Sequence, residues 1–201
     1  MAGLECIIFD IQDVGARFYT YISTLHYVME ACAENRIPLL VFDRPNPNGF
    51  YIDGPVLDTA FRSFVGIAPI PVVHGLTVGE YALMANGEGW LANSVKCNLK
   101  VIPMKGYDHS MKYRLPVRPS PNLPNMISVY LYPSLCFFEG AAVSVGRGTD
   151  IPFQVYGYPG FEKGDFTFTP KEITGVIKDP PYEDQLCNGK KLDKNWEEVI
   201  A

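Results

Sequence analysis

Four acids, a histidine and two arginines stand where a chain can do chemistry. Asp10 and Asp13 close an apolar run, Glu80 and Glu139 lie beside glycine-containing loops, and His74 precedes Gly75. Arg17 follows Asp13 by four residues, and Arg147 is set between Gly146 and Gly148. Carboxyl groups in unlike surroundings can act as proton donor and as charged partner, and histidine titrates in the range that suits proton transfer. An arginine between glycines sits where backbone can approach a ligand, and its guanidinium can make a two-point contact with a carboxylate.

Each of these residues also has a role that needs no ligand. Thr77 and Glu80 have capping-box spacing, so Glu80 can simply close the start of a helix. A histidine before glycine can bond a backbone carbonyl. Asp13 and Arg17, four apart at a helix entrance, can form a local ion pair favoured by the helix dipole. What favours a site is their convergence with Asp10 on a strand end, because ligands of open α/β sheets sit outside the carboxyl ends of the strands. Asn46 and Asn122, flanked by prolines, fit either turn chemistry or hydrogen bonding to a ligand, and Thr149 fits loop closure or the same contact. Tyr19, Tyr21, Tyr130 and Tyr132 can stack on a ligand or pack with satisfied hydroxyls. The run Gly146-Arg147-Gly148-Thr149 lacks the lysine and following helix of a phosphate loop, and Asp13-Val14-Gly15-Ala16 has one glycine where a nucleotide-binding turn needs more.

The elements that must position these groups follow from apolar periodicity. Leu4 to Phe9 reads as a buried strand. Phe18, Ile22, Leu25, Met29 and Cys32 recur at helical spacing until Asn35, and Pro38 to Asp43 forms a second strand parallel to the first. A right-handed crossover places Asp10 and Asp43 at one sheet edge. Arg44-Pro45-Asn46-Pro47-Asn48-Gly49 is an ordered loop with two fixed φ angles. Ile70 to Val73 reads as a short strand, Thr77 opens a helix running to about Asn86, and Leu99 to Ile102 is a further strand. Leu115 to Pro124 contains four prolines and is irregular. Asn125 to Phe138 is helical with an interruption at Pro133, and Ala141 to Val145 resembles a strand. The expected fold is α/β: a partial Rossmann-like parallel sheet over residues 1–160, followed by the start of a smaller α/β domain over 161–201. Two features read as marks of an incomplete chain. It opens directly into an interior strand, and Asn195 to Ala201 starts an amphipathic pattern that stops after two turns.

Composition narrows the partners. The chain has 201 residues and a formal charge of −5 with no basic cluster, which argues against nucleic acid and anionic lipid. No apolar stretch approaches the roughly 20 residues of a membrane span, and no signal-type leader is read at the start. Five cysteines lack CxxC or histidine-paired spacing, and no cluster of His, Cys and acids has metal-ligand spacing. No metal and no cofactor is implied.

Five runs carry a resemblance to a known family: Asp10 to Tyr21, Asp43-Arg44-Pro45-Asn46-Pro47, His74-Gly75-Leu76-Thr77-Val78-Gly79-Glu80, Pro119-Ser120-Pro121-Asn122-Leu123-Pro124, and Gly146 to Phe153. In this order, over about 140 residues, they closely resemble motifs of the exo-β-N-acetylmuramidase family, long known as a domain of unknown function. The resemblance covers the chain from about Leu4 to Cys187. It implies a Rossmann-like domain followed by a smaller α/β domain, and release of N-acetylmuramic acid from the non-reducing end of peptidoglycan fragments. It also implies a preceding Pro-Glu-His-Gly motif, absent from this sequence, whose glutamate is a leading catalytic candidate, and a parent protein of the cell envelope or secreted.

Glycoside hydrolysis commonly uses one protonated and one ionised carboxyl group, roughly 5 to 10 Å apart. On that reading Asp13, His74 and Glu80 are the catalytic candidates. Asp10, Arg17, Tyr19, Asn46, Asn122, Glu139, Arg147 and Thr149 would contact the sugar, with Arg147 or Arg17 reading the lactyl carboxylate of N-acetylmuramic acid. The competing reading from another class is a non-catalytic module that binds sugars or muropeptides.

Overall fold

The computed structural model describes residues 3–192. The chain divides into two compact units, one up to Arg114 and one from Leu115 onward. The change of sequence texture near residue 160 does not coincide with that division. The proline-rich run after Leu115, which cannot continue a sheet or helix, does.

The first unit begins with β1 (Ile7–Phe9), α1 (Tyr21–Asn35) and β2 (Leu39–Phe42), and continues through α2 (Val78–Glu88) to β3 (Leu99–Ile102). The strands form a parallel sheet in the order β1-β2-β3, with Ile7 opposite Leu39 and Leu39 opposite Leu99. Parallel pairing puts the residues that follow β1 and β2 at one edge. Asp10 and Asp43 are indeed neighbours there, joined through Arg44, whose Nε donates to Asp10 Oδ1 at 2.7 Å. The apolar stripe of α1 holds from Ile22 on: Ile22, Leu25, Met29 and Cys32 are buried, with Phe9, Leu39, Val41, Tyr81 and Ala85 in the same core, whereas Phe18 lies before the helix and is half-buried. Arg36 then takes a left-handed conformation and ends the helix. Four of the five cysteines are buried, Cys6 is exposed, and all are free thiols.

Ile70 to Val73 is not a regular strand. Val73 makes only isolated bridges, to Ala16 and Asp53, because Pro71 has no N–H to give to a ladder. These bridges nonetheless fix the backbone that carries His74.

In the second unit α3 (Met126–Leu135) is capped by Asn125, contains Pro133 and tightens into a 3-10 turn at Cys136–Gly140. Ala141 to Val145 forms no strand, only a bridge from Ser144 to Gly157. The sheet of this unit is antiparallel, built from β4 (Val155–Tyr158), β5 (Phe166–Phe168) and β6 (Cys187–Lys191) in the order β4-β6-β5. Gly157 and Gly189 face each other in its register, and a Cβ on Gly157 would meet the Asn188 carbonyl oxygen at 2.1 Å. The expected pattern at Asn195 to Ala201 lies outside the described residues. No described helix is long and apolar enough to cross a membrane.

Candidate functional site

The turn after β1 is built around Gly15. At φ +76° it occupies the left-handed region, and an added Cβ would lie 2.1 Å from Asn46 Oδ1. Its N–H donates to Asp13 Oδ2 at 2.6 Å, and its carbonyl accepts from the His74 backbone N–H at 3.4 Å. Asp13 and His74 are thereby brought together, with Nε2 of the ring 3.7 Å from Asp13 Oδ2. The Leu76 N–H donates to His74 Nδ1 at 3.2 Å, so the neutral ring carries its proton on Nε2, toward the aspartate. Asp13 is 4% and His74 3% exposed. Asp13 Oδ1 and His74 Nε2 have no hydrogen-bond partner among the described residues, although buried polar atoms are as a rule paired.

His74 lines a cavity of about 700 Å³ together with Gly49, Phe50, Tyr51, Ile52, Gly75, Leu76, Glu80 and His109. The aromatic and aliphatic groups come from the turn after β2 and from the segment leading into α2; the charge comes from Glu80 and His109. Glu80 completes the capping box its spacing predicts. Its Oε2 accepts from the Thr77 N–H at 2.8 Å, while Thr77 Oγ1 accepts from the Glu80 N–H at 3.2 Å. Its Oε1 is 2.9 Å from His109 Nε2, and His109 Nδ1 is 3.3 Å from the Gly49 carbonyl. Burial raises the Glu80 pKa, but the Thr77 and His109 contacts outweigh it, and the carboxyl is held below its ordinary value. The Glu80 hydrogen bond and charge, against the cost of burial, hold the His109 imidazole above its ordinary value. Glu80 is therefore an ionised group and a poor proton donor, which changes the part it can play. Tyr51 is pushed up to about 12 by burial and by Asp53, and stays a neutral hydroxyl.

Asp43, which follows β2, anchors the same helix start: Oδ2 accepts from Thr77 Oγ1 and Oδ1 from the Gly79 N–H, both at 2.8 Å. A side chain at Gly79 would meet Asp43 Cγ at 2.7 Å. Two carboxylates thus share the positive end of α2.

Other residues named from the sequence have different duties. Asn46 is buried and spends its amide within the fold, accepting from the Asn48 N–H at 2.8 Å and donating to the Leu76 carbonyl at 2.9 Å. Turn chemistry, not ligand contact, describes it. Arg17 is 5% exposed and donates through Nη1 to the carbonyls of Pro55 and Ile70, so its guanidinium faces backbone. Asp10 is exposed and paired with Arg44. Tyr19 packs edge-on to Tyr21 at 5.1 Å, and burial followed by the charges of Tyr21 and Asp13 raises its pKa.

In the second unit Arg147 Nη1 is 3.2 Å from Glu139 Oε1. Burial raises the Glu139 pKa, opposed in part by Arg147. The flanking glycines serve the fold: a Cβ on Gly146 would meet Val155 at 2.5 Å, and one on Gly148 the Lys171 carbonyl at 2.5 Å. Thr149 Oγ1 donates to the Gly146 carbonyl at 2.7 Å and closes the loop. The Asn122 N–H donates to Ser120 Oγ, and its Oδ1 is buried without a partner among the described residues.

His109, Tyr51 and Asp43 were missed as site residues. The signals available were a histidine in a polar loop, aromatic residues directly after the Pro45 to Gly49 turn, and an acid closing β2. Among the described residues no group of three His, Cys, Asp or Glu side chains is placed to hold a metal.

Two family models match the chain. Exo-beta-N-acetylmuramidase NamZ, N-terminal, spans residues 1–127, and the C-terminal model of the same name spans 130–200. The chain is 47% identical over 209 residues to the peptidoglycan beta-N-acetylmuramidase NamZ of Bacillus subtilis (strain 168), covering 96% of this chain and 49% of that protein. A crystal structure of a DUF1343 family protein from Bacteroides fragilis superposes with a TM-score of 0.93 at 55% identity, over 98% of this chain and 55% of that one. A second from the same organism gives 0.81 at 32% identity, over 94% and 53%. The chain spans about half the length of these relatives.

Proposed function

The chain belongs to the exo-β-N-acetylmuramidase family, and from that premise we propose that it carries the sugar-recognition pocket of a glycosidase that releases N-acetylmuramic acid from the non-reducing ends of peptidoglycan fragments. The observation that carries this reading is the cavity between the β2 turn and the start of α2. Its volume falls in the range of small-molecule sites, and its lining of aromatic and aliphatic groups with few polar ones is what a pyranose ring requires. His74 lines the cavity, with Asp13 buried behind the imidazole ring at 3.7 Å.

Hydrolysis through an oxocarbenium-like transition state calls for one carboxyl group that stays charged and one that keeps its proton. Glu80 has the first property, held ionised by Thr77 and His109, and suits stabilisation of developing positive charge or acceptance of a sugar hydroxyl. It does not suit proton donation. A cell-envelope or secreted location belongs to this proposal, since that is where the polymer is.

An aryl β-glycoside of N-acetylmuramic acid tests the reading. The phenol should be released, and release from the N-acetylglucosamine analogue should be much slower. Tight sugar binding with no release from either glycoside would overturn the hydrolase reading in favour of a non-catalytic sugar-binding module.

A further inference from the structure

The cavity needs a group that distinguishes N-acetylmuramic acid from N-acetylglucosamine, which lacks the lactyl carboxylate. The two arginines that the sequence offers have partners of their own, each within its own unit. Arg17 is buried against the carbonyls of Pro55 and Ile70, and Arg147 is paired with Glu139. His109 carries charge at the cavity wall, yet its two ring nitrogens face Glu80 and the Gly49 carbonyl.

The segment that delivers His109 delivers a second cation. It is fastened to the cavity wall at two points. The Tyr107 hydroxyl donates to the Asn46 carbonyl at 3.1 Å and accepts from the Asn46 N–H at 3.3 Å, and His109 bonds Glu80 and Gly49. Three residues on, the Lys112 ammonium lies 5.4 Å from the centroid of the Phe50 ring, one of the cavity's lining residues. That distance is within the range of a cation–π contact, which holds an ammonium in place without neutralising it. The acids of the two loops and of the start of α2 have partners of their own: Asp108 Oδ1 accepts from the Ser110 N–H, Asp53 Oδ1 from the Gly54 N–H, and Glu80 from His109 and Thr77. No carboxylate among the described residues lies within salt-bridge distance of Lys112, and the side chain is exposed.

We propose that Lys112 is the specificity-determining residue of the cavity, a cation parked on the Phe50 ring that pairs with the carboxylate of the bound sugar. The proposal rests on the reading of the cavity as a site for N-acetylmuramic acid. An ammonium is a compact point charge on a flexible stem, so it can leave the face of the ring and meet a carboxylate at the rim. An exposed pair of this kind is worth about a fivefold gain in affinity, and it is weakened by salt.

The experiment is a calorimetric or NMR titration of the chain with N-acetylmuramic acid and, separately, N-acetylglucosamine. Lys112→Met keeps the stem and removes the charge; Lys112→Arg keeps the charge. The wild type should prefer N-acetylmuramic acid, and Lys112→Met should weaken that sugar about fivefold while leaving N-acetylglucosamine unchanged. Lys112→Arg should keep the preference, and rising salt should erode it in the wild type but not in Lys112→Met. The exposed position makes equal thermal midpoints the check that all three proteins are folded. Equal weakening of both sugars by Lys112→Met, or a preference that survives it, overturns the assignment while leaving the cavity as the sugar site. A wild type that binds neither sugar, or does not tell them apart, overturns the assignment and the functional reading together.

Discussion

Replacing Gly15 by alanine should cost about 4 kcal/mol of stability in the first unit, most of it through a single neighbour. An alanine at φ +76° carries about 1 kcal/mol of left-handed strain. Its methyl group would stand 2.1 Å from Asn46 Oδ1 and 2.6 Å from Nδ2, so the amide must leave its place. That frees the Asn48 N–H and the Leu76 carbonyl inside the fold, at about 1.5 kcal/mol each. With a urea dependence of about 2 kcal/mol per molar, the unfolding midpoint should fall by about 2 M. Asn46→Ala alone should cost about 3 kcal/mol through the same two lost bonds, and adding Gly15→Ala to it only about 1 more. The two costs should therefore fail to add by about 3 kcal/mol in a double-mutant cycle followed by urea unfolding. Additive costs, or a midpoint shift under about 0.5 M for Gly15→Ala alone, would refute the reasoning.

Two pH effects follow from the remaining histidines. His109 is raised above its ordinary 6.5 by Glu80, so its contribution is full below 6.5 and is lost as pH rises through its higher folded value. Glu80 is lowered from 4.5, so its contribution is full above 4.5 and is lost as pH falls through its lower folded value. Glu80→Gln should flatten both limbs and bring the NMR titration midpoint of His109 down toward 6.5; an unmoved midpoint would disprove the pairing. His26 is fully buried between Tyr81 and Arg62, and burial lowers its pKa, aided by Arg62 and opposed by Glu30. Its contribution is present above 6.5 and declines as pH falls toward its folded value, with an NMR midpoint below 6.5 that rises in Arg62→Met. A midpoint at or above 6.5 in the wild type would contradict this.

The first unit was legible where one local rule dominated. The apolar stripe of α1 from Ile22 on, the run of β2 and the Thr77–Glu80 capping box form as their spacing requires, whereas the run from Leu4 to Phe9 is a strand only over Ile7–Phe9, with Leu4 and Ile8 exposed. Pro71 was visible in the sequence but outweighed by its apolar neighbours, and Ile70 to Val73 consequently looked like a strand. The sheet of the second unit was hidden because Gly157, Gly189 and the polar residues of β6 give no alternating pattern. At the site, residue types named Asp13, His74 and Glu80; His74 and Glu80 line the cavity, and Asp13 is buried behind His74. Those types could not reveal that Arg17 faces two carbonyls or that Asn46 bonds the backbone of Asn48 and Leu76, because backbone partners carry no sequence signature. His109 and Lys112 escaped for a related reason. They act on Gly49 and Phe50, about sixty residues earlier in the chain, across a loop with no periodicity of its own.

The measurement that bears most directly on the cavity as the sugar site is amide chemical-shift mapping during a titration with N-acetylmuramic acid. Shifts should concentrate at Gly49 to Ile52, at His74 to Leu76, and at Glu80 and His109, and equal concentrations of lactate should not reproduce them. Shifts confined to the Gly146 to Phe153 loop, or a pattern that lactate alone reproduces, would contradict the account.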